Sequence, residues 1–251
     1  MADPIIRVEG FTAAYDGQVI IDDITFEVQP GEVFVILGGS GCGKSTLLKH
    51  LIGLYAPAQG RILIEGRDLA TAEGDDRLAI LKRIGVMYQM GALFGSMTLL
   101  ENVRLPLEEY TDLPKDATEA IARMKLQLVA LRGFEQHMPS EISGGMKKRA
   151  AIARAMALDP RILFLDEPSA GLDPITSAEL DQLILKLARG LGITFVVVTH
   201  ELASIYAIAD RVIMLDKRVK KIVATGKPAE LRDGSTNPWV RQFFNRQAES
   251  A

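Results

Sequence analysis

The sequence predicts an α/β fold with a mainly parallel sheet, an antiparallel β region at its start and an inserted helical segment. Short apolar runs that alternate with helix-period segments are typical of parallel strands joined by crossover helices. The first thirty residues instead alternate with the period of exposed strands. Residues 96–158 show helix periodicity and no strand signal. A chain of 251 residues fits one large domain or two modest ones.

The first half of the sequence begins with segments in which apolar and polar residues alternate, as in strands. Turn residues at Asp16-Gly17 and Pro30-Gly31 separate these segments. The run 33–37 is apolar throughout, as expected of a strand buried on both faces. Helix periodicity follows it over 44–54, where Leu47, Leu48, Leu51 and Ile52 share a face. The predicted strands here are 6–9, 18–21, 24–28, 33–37, 61–65 and 84–88.

The second half of the sequence contains three helix-period segments, followed by strands that alternate with helices. The helices lie over 98–110, 116–131 and 145–158. Beyond residue 161, strands are predicted at 162–165, 193–198, 211–215 and 220–224, and helices at 175–190 and 201–208. We therefore predict a core from 1–95 and 159–234, a helical subdomain over 96–158 and a C-terminal tail over 235–251.

Composition excludes several classes of protein. Hydrophobic residues make up 48% and charged residues 24%, which excludes a disordered, collagen-like or coiled-coil chain. The 29 basic and 32 acidic residues give a net charge of −3, so we expect no nucleic-acid partner. One cysteine offers no disulfide framework, and no Cys/His cluster indicates a structural zinc.

The apolar runs are too short for a membrane span. The longest, 33–37, 162–165 and 195–198, fall well below the ~18 residues that a spanning helix needs. The N-terminus has no basic segment followed by an apolar stretch, so no signal peptide is predicted. We expect a soluble, intracellular chain that reaches a membrane only through a partner.

A phosphate-binding motif lies between the predicted strand 33–37 and the helix that follows. Residues 38–45 read G-G-S-G-C-G-K-S and fit G-x-x-x-x-G-K-[S/T], the pattern of a P-loop NTPase. Its backbone N–H groups and the helix N-terminus favour phosphate. Lys44 would reach the β- and γ-phosphates and Ser45 would bind Mg²⁺. The predicted ligands of ATP are Gly38, Gly39, Ser40, Gly41, Cys42, Gly43, Lys44, Ser45 and Thr46.

A pair of carboxylates ends the apolar strand 162–165. Asp166 would hold Mg²⁺, directly or through water, and Glu167 would polarise the water that attacks the γ-phosphate. Alone, the pair fits a solvated strand end equally well. Together with the phosphate loop, it favours a nucleotide hydrolase.

Further motifs follow in a fixed order. Gln89 follows the strand 84–88, and Ser143-Gly144-Gly145-Met146 opens a helix. Asp173 follows the carboxylate pair, and His200 follows the strand 193–198. This ordered set resembles the nucleotide-binding subunit of ABC transporters over nearly the whole chain. The resemblance implies a RecA-like core and an ATPase with Gln89 as the Q-loop glutamine and a ligand of Mg²⁺.

The same resemblance implies a homodimer that sandwiches two ATP molecules. Each ATP would lie between one phosphate loop and the partner's signature residues Ser143, Gly144 and Gly145. Asp173 would lie at the dimer seam, and His200 would contact the γ-phosphate. Tyr15 would stack on adenine. An ordinary strand tyrosine and an ordinary strand-end histidine are the open alternatives for Tyr15 and His200.

Met146 stands where the family usually has glutamine, so the hydrogen bonds of an amide side chain are lost there. The Ser-Gly-Gly-Met motif and Gln89-Met90-Gly91-Ala92-Leu93-Phe94 are similar to ATPases of Mce-associated lipid transport, including the Mla pathway. That resemblance implies a position on the cytoplasmic side of the inner membrane. Its partners would be integral-membrane permease subunits, an Mce-domain protein and a STAS-domain subunit.

Other functions remain open at this point. A polar-solute importer's ATPase is one alternative. A soluble ABC ATPase acting on DNA or ribosomes is another, although the sequence has neither heptads nor a duplicated cassette. A regulatory module without turnover is the third, and Glu167 together with His200 argues against it.

Three local features carry expectations of their own. Cys42 lies near Lys44 and a helix N-terminus, which predicts a lowered thiol pKa and labelling that nucleotide blocks; the alternative is an inert side chain directed into the domain. The segment Gln89–Phe94 would dock the permease, or its Leu93 and Phe94 are core residues. The tail has an apolar helical face formed by Trp239, Val240, Phe243 and Phe244. This face would dock on its own domain or across the dimer.

Overall fold

The computed structural model of the protein describes residues 3–246. Its strands are β1 Ile6–Tyr15, β2 Gln18–Val28, β3 Val33–Gly38, β4 Gln59–Ile64, β5 Arg67–Asp68, β6 Ile84–Met87, β7 Ile162–Asp166, β8 Thr194–Val198, β9 Arg211–Asp216 and β10 Lys221–Gly226. Its α-helices are α1 Lys44–Leu51, α2 Gly74–Leu81, α3 Leu99–Tyr110, α4 Lys115–Leu128, α5 Gly144–Ala155, α6 Pro174–Leu191, α7 Leu202–Ile208, α8 Pro228–Gly234 and α9 Pro238–Asn245.

The larger sheet has the strand order β10-β9-β3-β8-β7-β6. All of its pairs are parallel except the antiparallel edge pair of β9 and β10. Every residue of β3 and β8 is buried, as the continuous apolar runs predict. Because the carboxyl ends of parallel strands share one edge, the segments after β3, β6, β7 and β8 meet there.

The smaller sheet is antiparallel and has the order β2-β1-β4-β5. The prediction of separate strands at 18–21 and 24–28 is wrong, because β2 continues through both. Its register against β1 shifts in this region, and the Asp23 N–H donates to Thr12 Oγ1 at 3.1 Å. A side-chain hydrogen bond thus takes the place of a ladder bond, and local polar residues do not interrupt the strand.

The segment 96–158 is described throughout and contains helices but no strand, as predicted. Thr98 and Glu101 form a capping box at the start of α3, which fixes where that helix begins. The apolar faces of α3, α4 and α5 pack into one core with residues of the larger sheet. The helices α2 and α8 were not predicted, since segments of eight and seven residues are too short to show clear periodicity.

The tail helix α9 docks on its own domain. Val240 and Phe244 are buried in the main core, and the Tyr206 hydroxyl on α7 donates to the Phe244 carbonyl at 3.1 Å. The structure therefore shows the first of the two alternatives for the tail as far as Asn245. Residues 247–251 of the predicted tail lie outside the described residues. Of the helices described, none is both long and apolar enough to cross a membrane.

Candidate nucleotide site

The phosphate loop turns between β3 and α1 through backbone that only glycine adopts easily. Gly43 has φ +101, and a Cβ there would lie 2.8 Å from Ile21 Cγ1. A Cβ on Gly38 would collide with the Leu215 carbonyl oxygen. Gly43 offers no capping side chain, so the first N–H groups of α1 stay available to an anion.

Lys44 lies over this loop. Its Nζ donates to the Gly38 carbonyl at 2.8 Å and to the Gly39 carbonyl at 3.1 Å. The ammonium group is thus held at the mouth of the loop, beside the N-terminus of α1. Positive charge and exposed helix N–H groups at one place are the features that bind a polyphosphate.

Cys42 differs from its prediction. The residue is only 3% exposed, and burial raises the pKa of its thiol more than Lys44 lowers it. The expectation of a lowered pKa is therefore wrong, because loss of solvation outweighs the helix N-terminus and the nearby ammonium. The alternative of a small side chain directed into the domain fits the structure.

We expect Cys42 to label slowly with an alkylating reagent at pH 8 in the native protein. Its raised pKa leaves little thiolate at that pH, and its burial blocks access. It is the only cysteine of the chain, so mass spectrometry counts one adduct without ambiguity. The same protein in denaturant is the control and should label at the rate of a free thiol. Equally fast labelling of native and denatured protein would contradict the buried position.

Glu167 and His200 meet at the carboxyl edge of the larger sheet. His200 Nδ1 lies 2.8 Å from Glu167 Oε1, which makes one hydrogen bond between the two side chains. Glu167 Oε2 is buried and has no hydrogen-bond partner among the described residues. A buried carboxylate oxygen without a partner is costly, and a bound water would satisfy it. The pair thus offers a place where water can be held and polarised.

The neighbouring Asp166 fits a magnesium ion. Burial and then the charge of Glu167 raise the pKa of Asp166, while Lys44 and Lys148 oppose the shift. A divalent cation would relieve that repulsion. Among the described residues, no three His, Cys, Asp or Glu side chains group as a metal site. Mg²⁺ here would therefore take phosphate oxygens as further ligands beside Asp166 and the hydroxyl of Ser45.

Two cationic side chains of α5 hold the Q-loop, the segment Gln89–Gly95 that follows β6. Lys148 Nζ donates to the Gln89 carbonyl and, at 3.3 Å, to the Glu167 carbonyl. Arg154 donates to the carbonyls of Ala92 at 2.6 Å and Gly91 at 3.1 Å. Neither cation was predicted from the sequence to belong to the site. The available signal was the position of Lys148, three residues before the buried Ala151 and four before the buried Ile152. That spacing places the lysine on the buried face of the helix.

The signature residues lie at the N-terminus of α5. Ser143 Oγ caps the helix by accepting from the Met146 N–H at 3.2 Å. A Cβ on Gly145 would collide with Thr176, so this glycine allows α5 to approach α6 closely. Within the described residues, no hydrogen bond or ion pair joins Ser143, Gly144 or Gly145 to the phosphate loop.

Asp173 caps the following helix, α6. Its Oδ1 accepts from the Ile175 and Thr176 N–H groups at 3.0 Å each. Bonds to the Thr176 hydroxyl and backbone hold the pKa of the Asp173 carboxyl below its usual range. Ile175, in the first turn of α6, is largely exposed.

Tyr15 ends β1 beside α1, and its ring is partly exposed. The Tyr55 ring meets it edge-on at 5.7 Å between centroids, and the His50 ring lies 6.3 Å away. His50 Nδ1 is 2.8 Å from the Thr46 carbonyl, so that nitrogen must carry the proton and donate. Tyr15 is therefore packed against two neighbouring rings and keeps 37% of its surface exposed. Tyr55 and His50 were not predicted, since they lie outside the loop motif.

The fold and this edge define an α/β P-loop ATPase. A family model for ABC transporters matches residues 21–170. The chain belongs to this family of ABC transporter ATP-binding proteins, as the ordered motifs predict. The predicted fold class and ATPase activity class are both confirmed.

Curated relatives align over most of the chain. The probable ribonucleotide transport ATP-binding protein mkl of Mycobacterium leprae is 44% identical over 96% of this chain, which spans 68% of that relative. The intermembrane phospholipid transport system ATP-binding protein MlaF of Haemophilus influenzae is 39% identical, covering 99% of this chain and 93% of its own. The Escherichia coli MlaF is 42% identical, and the match covers 92% of this chain and 84% of that relative.

Solved structures show the same architecture. The chain superposes on cbiO1 of Clostridium perfringens, part of the ABC transporter complex cbiONQ, with a TM-score of 0.85 and 29% identity over 93% of this chain and 92% of the other. The ATP-binding cassette MJ0796, in a dimeric post-hydrolysis state bound to ADP and Pi, matches with a TM-score of 0.79 and 30% identity. The match covers 88% of this chain and 98% of the other.

Proposed function

We propose that the protein hydrolyses Mg-ATP as a homodimer and powers phospholipid transport through an integral-membrane permease. The observation that carries this proposal is the likeness to two MlaF proteins over 84% and 93% of their lengths. The chain then works on the cytoplasmic side of the inner membrane, held there by the permease. An Mce-domain protein and a STAS-domain subunit complete the proposed assembly, which has no nucleic-acid partner.

Binding of the nucleotide is assigned to three places in this proposal. Tyr15 stacks on the adenine, and the N–H groups of the phosphate loop cradle the phosphates. Lys44 exchanges its bonds to the loop carbonyls for the β- and γ-phosphates. Ser45, Asp166 and Gln89 hold Mg²⁺, which supplies Lewis-acid stabilisation of charge on the phosphates.

Hydrolysis is assigned to Glu167 and His200. Glu167 Oε2, which has no hydrogen-bond partner among residues 3–246, takes the attacking water and polarises it. His200 orients the carboxylate through Oε1 and also reaches the γ-phosphate when the site closes. The site is closed by the partner's Ser143, Gly144 and Gly145, with Asp173 at the seam. The dimeric MJ0796 structure and the exposed Ile175 support this arrangement.

The permease docks beside the Q-loop in this proposal. Met90 is 88% exposed and Phe94 50%, whereas Leu93 packs on the core. The core alternative therefore holds for Leu93 and not for Phe94. A neighbouring groove of about 250 Å³ between α2, α3 and α5 is mostly apolar and has room for a few apolar side chains of a partner. It is lined by Leu81, Ile84, Val86, Pro106, Tyr110 and Leu158.

We expect Phe94→Asp to abolish transport while the isolated subunit keeps its basal ATPase. A charge on this exposed ring position opposes burial against the permease, and the Phe94 ring lies against Arg154 rather than against the phosphate loop. ATPase of the isolated chain and transport in the assembled complex are the two measurements. Phe134→Asp, which places the same charge at an exposed ring elsewhere in the helical region, is the control. Normal permease assembly and transport with Phe94→Asp would exclude this docking site.

Transport by the whole assembly tests the function itself. The tagged chain is purified with its membrane subunits and reconstituted in vesicles that carry a fluorescent phospholipid. ATP-driven phospholipid movement that Glu167→Gln abolishes is the expected result. ATP-driven uptake of a labelled ribonucleotide with no lipid movement would overturn the proposal and favour the activity for which mkl is named.

A further inference from the structure

Lys148 lies where three functional segments meet. It projects from α5 and is only 7% exposed. Its Nζ donates to the carbonyls of Gln89 and Glu167. The last residue pair of β6 and β7 is Met87 with Leu165, so Gln89 and Glu167 are equivalent positions two residues further along. The ammonium group therefore bridges two strands at the point where their own hydrogen bonds end.

The backbone of Glu167 needs such support. Its φ of +46 is in the left-handed region, which is unfavourable for a residue with a side chain. The Glu167 N–H donates to the Val198 carbonyl at 2.8 Å, and the Ala170 N–H donates to the Glu167 carbonyl at 3.2 Å. Lys148 supplies the third bond that fixes this conformation, and it is the one that comes from the helical region.

Lys148 is a buried cation near two carboxylates. Burial lowers the pKa of its ammonium group below the usual range, and the charges of Asp166 and Glu167 oppose that shift. A second residue of α5 also binds the Q-loop: Arg154 donates to the Gly91 and Ala92 carbonyls. A displacement of α5 must therefore carry the Q-loop with it and pull on the Glu167 carbonyl.

We propose that Lys148 is a positioning residue for ATP hydrolysis, which fixes the backbone of Glu167 and couples it to the signature helix α5 and the Q-loop. The proposal rests on the role assigned to Glu167 above. Among the described residues, Lys148 donates to the Gln89 and Glu167 carbonyls and not to the phosphate loop. Its loss should therefore affect turnover and leave nucleotide binding at the phosphate loop intact.

The test compares Lys148→Met, Lys148→Arg and a matched control in the full-length protein. Lys148→Met should lower kcat about 10- to 100-fold, as expected when a reacting group is misplaced. KM for ATP and the affinity for a fluorescent ATP analogue should stay within about threefold of the parent. Lys148→Arg should recover most of the turnover, because its guanidinium can still donate to both carbonyls.

The control is Lys125→Met on α4. Lys125 is equally buried, at 3% exposed, and pairs with Asp159 away from the site. Its loss should lower the thermal midpoint but leave kcat unchanged. If Lys148→Met does not fold, Lys148→Gln, which keeps a donor without the charge, is measured instead and should also lower kcat.

Three results would overturn the proposal. They are a kcat within about twofold of the parent, an equal loss of kcat in Lys125→Met, or a loss of ATP affinity that matches the loss of kcat. Glu167→Gln is assayed in parallel to separate the two roles. Normal turnover of Glu167→Gln would overturn the role of the glutamate. An inactive Glu167→Gln beside a normal Lys148→Met would overturn the role of the lysine alone.

Discussion

Glu167→Gln should bind Mg-ATP and hydrolyse it about 10²- to 10⁴-fold more slowly than the parent, the usual contribution of a general base. The amide has the size of the carboxylate, and its oxygen can still accept the hydrogen bond from His200 Nδ1. The local geometry should therefore persist. The change removes the negative charge that Oε2 would direct at the attacking water.

The same variant should accumulate as an ATP-bound dimer, because nucleotide that is not hydrolysed keeps the two halves together. Phosphate release under steady state measures the first effect, and size-exclusion chromatography with and without Mg-ATP measures the second. Glu119→Gln changes a partly exposed glutamate on α4 that pairs with Arg123; it serves as the control and should behave as the parent. Near-normal turnover in a verified dimeric sample would remove Glu167 from this role.

The sequence was sufficient to predict which residues lie at the carboxyl edge of the larger sheet. Strands β3, β7 and β8 are apolar runs, whereas β6 is half-buried. A motif follows each of these four strands, so the sequence predicts that Lys44, Gln89, Glu167 and His200 lie at one edge. The register shows why this works: Leu165 pairs with Met87 on one side and Val197 on the other. Parallel order converts a motif at each strand end into a single site.

Contacts between distant elements were beyond the reach of sequence patterns. Lys148 and Gln89 are 59 positions apart, and nothing in either segment indicates that an ammonium group meets a carbonyl there. The tail helix illustrates the same limit, because its apolar face predicts docking but not the surface that receives it. Which buried cation meets which backbone depends on how α5 packs against the sheet.

Cys42 shows how a sound local rule fails. A helix N-terminus and a lysine do lower a thiol pKa, and Lys44 does act in that direction. The orientation of the side chain, however, is decided by the packing of the loop against β3 and β9, where Gly38 leaves room for the sulfur. Desolvation then outweighs the local charges, and no sequence pattern reports the direction in which the thiol points.

Lys44→Ala should lose nucleotide affinity, in contrast to Glu167→Gln. The ammonium group is the side-chain cation at the mouth of the phosphate loop, now bonded to the Gly38 and Gly39 carbonyls. A hydrogen bond to a charged group is worth about 1.5–3 kcal/mol, so its loss should weaken Mg-ATP binding about 10- to 100-fold. Turnover should fall too, because the charge that develops on the transferred phosphoryl group loses a counterion.

Titration of the Lys44→Ala variant with a fluorescent ATP analogue, alongside phosphate release, separates the two losses. The variant loses the two bonds from Lys44 Nζ to the Gly38 and Gly39 carbonyls, while the close approach of Gly38 to Leu215 remains and keeps the course of the loop. The thermal midpoint of the nucleotide-free variant should therefore fall only slightly below that of the parent. Lys186→Ala, on the exposed face of α6, removes the same charge elsewhere and should change neither quantity. Parent-like affinity and turnover of Lys44→Ala would exclude the phosphate loop as the ATP site.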